Sequence, residues 1–264
     1  MRRRRLDEIF DLAALVLRDH LRLFLLVCVP PIVVFTAANT TIVLWLGRNG
    51  GDELEWSSWE HLGLLFLIFF ERSLLALPLL LLNGNLLFDQ HPKLSTIFVS
   101  SLRIYPRYLW SRAVVLPVQT VLLAWTFVIP WRALVTHFFK SEVIVLERLR
   151  GAAMSKRLSA IATGQGERNV GFLIMDLSVF VLFLFAVGFG FNVLLEMLSL
   201  NDRYWWLDAR FSLFSPVMHF FIFVYSVYHT AAKFLYYIDS RSLREGWDIE
   251  LTLVKGIRET EELA

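Results

Sequence analysis

The feature that most constrains this chain is a series of apolar stretches, each long enough for a helix to cross a bilayer. Four of them are almost uninterrupted, at residues 21–46, 62–88, 109–129 and 211–238. A transmembrane helix needs roughly 20 apolar residues to cross a hydrocarbon core of about 30 Å. The stretches therefore predict an all-α integral membrane protein. They exclude an ordinary soluble enzyme, a disordered chain and a secreted disulfide scaffold.

Two further segments are more polar. Residues 170–198 are apolar overall but contain Asp176 and Glu196, and residues 131–147 are shorter and carry several charged side chains. Hydropathy alone favours a loop for the second segment. If it did not cross, however, the basic connection after it would lie outside the cell, whereas Lys and Arg collect in cytoplasmic loops. We therefore predict a helical bundle of six spans in one membrane domain, residues 1–264.

The distribution of charge also predicts the direction of insertion. Residues 2–5 are four consecutive arginines, whereas residues 47–60 contain one Arg and four acidic residues. The chain after the last predicted span, residues 239–264, begins with further arginines. By the preference of basic residues for the cytoplasmic side, we expect both termini to be cytoplasmic.

A short amphipathic segment precedes each successive pair of predicted spans. In residues 1–20, apolar side chains recur at helical spacing opposite charged ones, which is typical of a helix lying in the cytoplasmic interface. Residues 94–105 and 151–163 have a similar layout. The order predicts three units, each an interfacial helix followed by a transmembrane hairpin. Any six-span protein with basic cytoplasmic loops would share this layout, so that interpretation also stays open.

Several prolines fall inside the predicted spans. Proline donates no backbone hydrogen bond, so the carbonyl one turn earlier needs another partner within the membrane. We therefore expect kinks or specially bonded backbone at Pro30, Pro31, Pro78, Pro117 and Pro216.

Motifs that would mark an enzyme are missing from the sequence. It contains no HExxH, no GxSxG and no Walker-type phosphate loop. The single cysteine, Cys28, lies in an apolar run, which excludes a disulfide or a cysteine-based metal site within one chain. The basic clusters lie where membrane topology requires them, which disfavours nucleic-acid binding. We predict no catalytic residue, no metal ligand and no cofactor.

Ionisable side chains at membrane depth are costly and usually face the interior of a bundle or a wet cavity. Glu71 and Arg72 lie near the middle of the second predicted span, and Lys140 and Glu142 lie near the middle of the fourth. Sequence neighbours on a helix point about 100° apart, so Glu71 and Arg72 cannot neutralise each other directly. We expect a Glu71–Lys140 or an Arg72–Glu142 pair between the two spans.

The last predicted span adds His219, His229 and Lys233 to this candidate polar seam. At helical spacing these side chains share one face, which should point toward other helices and not toward lipid. One interpretation is a polar pathway or substrate groove whose histidines titrate near neutral pH. The other is an interhelical hydrogen-bond seam, with Lys233 reaching toward the cytoplasmic interface. We interpret Asp176 and Glu196 as interfacial.

Two stretches of sequence resemble a known family. Residues 236–251 read YYIDSRSLREGWDIEL, and residues 143–149 read VIVLERL, followed by two alanines, Ser155 and Arg157. Both resemble segments of uncharacterised bacterial six-span proteins that are similar to the membrane domain of glycerophosphoryl diester phosphodiesterase. The resemblance implies a six-helix protein of the bacterial cytoplasmic (inner) membrane. Neither stretch belongs to the soluble catalytic domain, so the resemblance implies no hydrolase activity.

Charged residues after the last predicted span suggest a cytoplasmic clamp. They can pair three and four residues apart on a helix, and they can also reach the basic segment at residues 150–157. In this hypothesis they lock the last span to the connection between the fourth and fifth spans, and the alternative is a solvated helix. The candidate clamp residues are Asp239, Arg241, Arg244, Glu245 and Asp248.

These features favour a non-enzymatic scaffold or accessory subunit in envelope or lipid homeostasis. The alternative is a small transporter, channel or lipid-handling protein that uses the polar seam inside the bundle. The expected partners are membrane lipids and either other membrane proteins or a second copy of the chain. Nucleic acid is not among them.

Overall fold

The computed structural model describes residues 4–49, 58–88, 93–111, 137–198 and 215–245. Almost all of these residues are helical, and no β-strand occurs among them. The predicted third span lies outside the described residues beyond residue 111. The first part of the predicted fourth span and the tail after residue 245 also lie outside them.

Eight helices can be followed through the described ranges, together with one π-helical turn. The helices are α1 (Leu6–Asp19), α2 (Leu21–Asn49), α3 (Ser58–Phe88), α4 (Leu94–Leu109), α5 (Lys140–Glu142), α6 (Gly151–Ala162), α7 (Gly166–Met197) and α8 (Pro216–Glu245). The π-helical turn, Val143–Glu147, continues α5.

Three of the described helices contain segments that are long and apolar enough to cross a membrane. These are Leu21–Trp45, Phe66–Leu87 and Gly166–Met197, with mean hydropathies of 2.2, 1.7 and 2.6. They coincide with the predicted first, second and fifth spans, and the all-helical fold class is confirmed for the described residues. Helix α8 has 30 residues. At a rise of about 1.5 Å per residue it is long enough to cross as well, but its polar stripe makes it less apolar than those three.

Helix α8 lies at the centre of the described bundle, where α1, α2, α3 and α7 pack around it. Tyr236 and Tyr237 in its second half are completely buried. Tyr236 stacks on Phe172 of α7 at a centroid distance of 4.8 Å, and Phe138 and Phe139 pack against the same ring. Aromatic pairs stabilise beyond the area they bury. This cluster therefore fixes α7, and the segment that precedes α5, onto α8.

Helix α7 has a different environment over most of its length. Leu182, Phe189 and Met197 are among the most exposed large apolar side chains in the described part of the chain. An apolar surface of this extent on a membrane helix faces lipid chains or another apolar surface. Helix α7 therefore forms an outer wall of the bundle.

Helix α1 lies within the predicted amphipathic segment, residues 1–20. Its apolar side chains Ile9, Phe10 and Ala13 are buried, while Asp11 on the opposite face is exposed. The other two predicted amphipathic segments are also helical, as α4 and α6. The periodicity of the three segments thus predicted their secondary structure correctly.

Pro78 lies inside α3 and leaves the carbonyl of Leu74 without its usual helical donor. The hydroxyl of Tyr105 on α4 donates to this carbonyl at 2.7 Å. In an apolar environment an unsatisfied backbone group is costly, so this bond offsets the effect of the proline. It also attaches the amphipathic helix α4 to the apolar helix α3.

Removing this hydroxyl with Tyr105→Phe should lower the free energy of unfolding by about 1 kcal/mol, because the partly buried Leu74 carbonyl would lose its donor. Unfolding in mixed micelles of increasing dodecyl sulfate content measures the change. Tyr108→Phe is the matched control, since Tyr108 is on the same helix and its buried hydroxyl contacts no hydrogen-bond partner among the described residues. Equal losses in the two variants would contradict the role of Tyr105.

Candidate functional site

Five polar side chains of α8 recur at intervals of four residues and form what we call the polar ladder: Tyr225, His229, Lys233, Tyr237 and Arg241. Residues four apart are neighbours on a helix surface, offset by about 40°, so the ladder winds gradually around α8 from Tyr225 to Arg241. At about 1.5 Å per residue the ladder extends over about 24 Å, which is most of the thickness of a bilayer core. Each ladder residue contacts an acidic side chain from another element.

The first part of the ladder surrounds Asp176 of α7. The Tyr225 hydroxyl donates to the Asp176 carboxylate at 2.7 Å, and Nδ1 of His229 lies 2.9 Å from Oδ1 of the same carboxylate. The guanidinium of Arg72 on α3 is close enough to act on this carboxylate electrostatically. Three helices therefore converge on one acidic group.

The contact between Asp176 and His229 determines what this group can do chemically. A carboxylate only accepts hydrogen bonds, so the proton between the two side chains belongs to Nδ1 of His229. The imidazole ring is thereby held in one orientation, and Nε2 is left as the nitrogen that can bind or release a proton. The arrangement can hold a proton, and it can equally serve as a fixed link between α7 and α8.

The middle of the ladder is an ion pair between Lys233 and Glu142 of α5. The Lys233 Nζ lies 3.2 and 3.3 Å from the two carboxylate oxygens, and the side chains of Lys233 and Glu142 are only 8% and 2% exposed. The Phe138 ring lies 5.1 Å from the same Nζ. Cation and carboxylate are both removed from solvent, so neither charge is screened by water. Lys140 is also buried, two residues before Glu142.

The last part of the ladder surrounds Glu147, the final residue of the π-helical turn. Arg157 of α6 binds the Glu147 carboxylate at 2.7 Å, and Arg241 lies 3.6 Å from it. The Tyr237 hydroxyl donates to the same carboxylate in a short hydrogen bond. This one side chain therefore joins the end of α8 to α6 and to the π-helical turn.

A parallel set of contacts links the same end of α8 to the start of α7. Asp239 and Arg168 form an ion pair at 2.7 Å, and Tyr236 donates to the Asn169 side chain at 2.6 Å. Arg168 also donates to the backbone carbonyl of Arg4, ahead of α1, at 2.6 Å. The start of the chain therefore meets the start of α7 and the end of α8 in one place.

The structure shows partners for the predicted carboxylates of the seam that the sequence does not indicate. Glu71 accepts a hydrogen bond of 2.8 Å from the buried Asn39 side chain of α2, and Glu142 pairs with Lys233. Arg72, the other predicted partner, acts on Asp176. The donor to Glu142 comes from α8, whereas the donor to Glu71 comes from α2.

His219 is buried in the first turn of α8 but outside the register of the ladder, which passes through Phe221 at that level. Of the predicted clamp residues, Asp239 and Arg241 make the ion pairs described above. The side chains of Arg244 and Glu245, and all of Asp248, lie outside the described residues.

Sequence reasoning misses the importance of Asp176, whose position in the chain predicts an interfacial carboxylate. It includes Glu147 only as part of a motif, and it does not single out Asn39 or Tyr225. The four-residue recurrence on α8 includes Tyr225 and points toward Asp176 and Glu147, because a buried polar stripe requires partners on neighbouring helices. It does not point toward Asn39, which binds Glu71.

The described residues form an all-helical fold that contains three helices apolar enough to cross a membrane, and its central helix is held by buried polar contacts. Within the described ranges, no group of three or more His, Cys, Asp or Glu side chains is arranged to hold a metal ion. Comparisons of the chain with models of protein families, with curated proteins and with solved structures found no match.

Proposed function

We propose that this protein is a non-enzymatic scaffold or accessory subunit of the bacterial inner membrane, with a role in envelope or lipid homeostasis. The proposal rests on the contacts that the ladder residues make with acidic side chains of other elements. Each acid along α8 is already bound by donors that lie on α8 or on a neighbouring helix, so the polar groups fasten helices to one another. A scaffold requires helices that are held in a fixed arrangement, and these contacts hold them.

Six spans and cytoplasmic termini are part of the proposal. Arg4, Arg107, Glu147 and Arg241 belong to contacts at one end of the bundle, together with the start of α7. The chain leaves this end through α2 and α7 and returns to it through α3 and α8. A further hairpin between α4 and α5 would give three hairpins, and the arginines at this end favour the cytoplasmic side.

The resemblance to the phosphodiesterase-type membrane domain also stays a proposal, and one contact supports it. The two stretches that carry the resemblance touch each other, because Glu147 from the first binds Tyr237 and Arg241 from the second. A pair of motifs that pack together is expected when both maintain one structural joint. The joint binds no substrate in this interpretation, which agrees with a scaffold.

The outer face of α7 supports the part of the proposal that concerns partners. A protein that acts through association needs an apolar surface within the membrane, and α7 presents one along most of its length. Other membrane proteins, a second copy of this chain and lipid are the candidates for this face.

A small transporter or channel is the second candidate function, and Asp176 favours it. The Asp176–His229 pair can bind a proton, and the ladder places further titratable groups at intervals of about 6 Å along α8. Proton movement along such a series would require water between the steps. The two functions therefore differ in whether the ladder is hydrated.

Vesicles of neutral lipid containing the purified protein and a trapped pH-sensitive dye distinguish these functions. We expect an imposed pH gradient to decay no faster than in empty vesicles, because the ladder residues are committed to interhelical contacts. An imposed potassium gradient should likewise decay no faster than in empty vesicles. Rapid proton flux that Asp176→Asn abolishes and Glu196→Gln retains would overturn the scaffold and establish the transporter. Glu196 is the matched control because it is an exposed acid on the same helix.

A further inference from the structure

A second group of charged residues lies beside the ladder and makes no contribution to it. Arg107, near the end of α4, donates to the backbone carbonyl of Arg148 at 3.4 Å and to that of Leu149 in a short hydrogen bond. These bonds hold the turn that connects the π-helical turn to α6. In this turn Arg148 adopts a left-handed conformation with φ of 55°.

The backbone of the turn is thus fixed from inside, while its arginine side chains point outward. Arg148 and Arg150 are both exposed, and Arg103 is exposed one helical turn before Arg107. Burial and the nearby charge of Arg150 both lower the pKa of Arg107, which places the two guanidinium groups in the same local field. We call Arg103, Arg107, Arg148 and Arg150 the arginine patch.

Acidic residues that could neutralise the patch are missing from its own segments. Residues 93–111 and 148–162 contain Lys and Arg but no Asp or Glu. Glu147 is the nearest acid in sequence, and Arg157, Tyr237 and Arg241 already bind it. The patch therefore has no acidic neighbour within its own two segments, and three of its four arginines are exposed.

The outer face of α4 indicates the depth at which the patch lies. Phe98, Val99, Leu102 and Trp110 are exposed on this helix, beside the arginines. A helix with exposed apolar side chains next to basic ones lies in the membrane interface, with its apolar side chains among the acyl chains. The arginines are then level with the phospholipid headgroups.

We propose that the arginine patch binds the phosphate of an anionic phospholipid headgroup. The planar guanidinium group matches a phosphate with two parallel hydrogen bonds, and the exposed apolar residues of α4 would contact the acyl chains of the same lipid. The inference rests on the proposed membrane-embedded scaffold and names one of its partners. An anionic lipid bound here would complete a site whose positive charges otherwise repel one another.

Native mass spectrometry of the protein in neutral detergent tests the inference, with equal amounts of phosphatidylglycerol and phosphatidylcholine added. Wild-type protein should retain phosphatidylglycerol preferentially. An arginine that binds the headgroup phosphate contributes roughly a fivefold preference, so Arg148→Gln combined with Arg150→Gln should reduce that preference by about twenty-five-fold. The turn should survive this change, because Arg107 binds backbone carbonyls and not the replaced side chains.

Arg18→Gln combined with Arg22→Gln is the matched control, since both side chains are exposed and the change in net charge is the same. This variant should keep the wild-type preference, and all three proteins should unfold at the same temperature in lipid-free detergent.

Equal retention of the two lipids by wild-type protein, or an unchanged preference in the patch variant, would overturn the inference. Displacement of the lipid by millimolar inorganic phosphate would also overturn it, because the site would then favour a soluble anion. Lipid retention tests the arginine patch and ion flux tests the scaffold function, so each proposal can fail without the other.

Discussion

Lys233→Met is expected to lower the free energy of unfolding by about 3–5 kcal/mol, the usual cost of breaking a buried ion pair by removing one partner. The variant would leave the Glu142 carboxylate, which is 2% exposed, without the cation that lies 3.2 Å away. Unfolding in mixed micelles of increasing dodecyl sulfate content, followed by circular dichroism, measures the change.

Replacing both partners tests whether the loss comes from the unpaired charge. Lys233→Met combined with Glu142→Leu should recover most of the stability, because two apolar side chains of similar volume can fill the same space. Arg18→Met is the control, since Arg18 pairs with Asp19 at the surface, where the two side chains are 71% and 58% exposed. An exposed pair of this kind contributes about 1 kcal/mol or less. A loss at Lys233 no larger than at Arg18 would contradict the structural role of the pair.

Glu147→Ala should cost about 3 kcal/mol, because one carboxylate serves three donors from two helices. Its removal would leave Arg157 and Arg241 facing each other without an intervening negative charge and Tyr237 without its acceptor. Glu147→Gln should cost about half as much, since the amide oxygen still accepts a hydrogen bond from the tyrosine while the charge is lost. The same unfolding assay applies.

The partial exposure of this group provides a second readout. Arg157 is 23% exposed and Glu147 is 12% exposed, so added salt should reduce the difference between wild type and Glu147→Ala. Glu167→Ala is the control, because this glutamate lies exposed in the first turn of α7. If the Glu147→Ala loss is as small as the control, or does not change with salt, the proposed joint between α6 and α8 is wrong.

The sequence predicts the all-helical fold and three of the long apolar helices, because length and hydropathy are local properties of the chain. It also located the amphipathic helices α1, α4 and α6 from their periodicity. The same periodicity placed His229 and Lys233 on one face of α8. These features depend on neighbours within a single helix, so no knowledge of the tertiary structure was needed.

The pairing of polar groups could not be predicted in the same way, because it depends on which helices are adjacent. Asp176 illustrates the difficulty. Its position soon after residue 170 predicts an interfacial carboxylate, but α7 begins at Gly166. The carboxylate therefore lies about 15 Å along the helix, deep enough to meet His229. The sequence pattern places Asp239 and Arg241 in a tail, whereas α8 continues through both of them and ends only at Glu245.

The π-helical turn has a consequence for how this protein can change in evolution. A π turn holds one residue more than an α turn, and one residue corresponds to a rotation of about 100°. Losing a single residue from Val143–Glu147 would turn Glu147 away from α8, whereas exchanges among the apolar residues before it would leave its direction intact. The length of this segment is thus under stronger constraint than its composition. Insertions and deletions should be rarer here than substitutions.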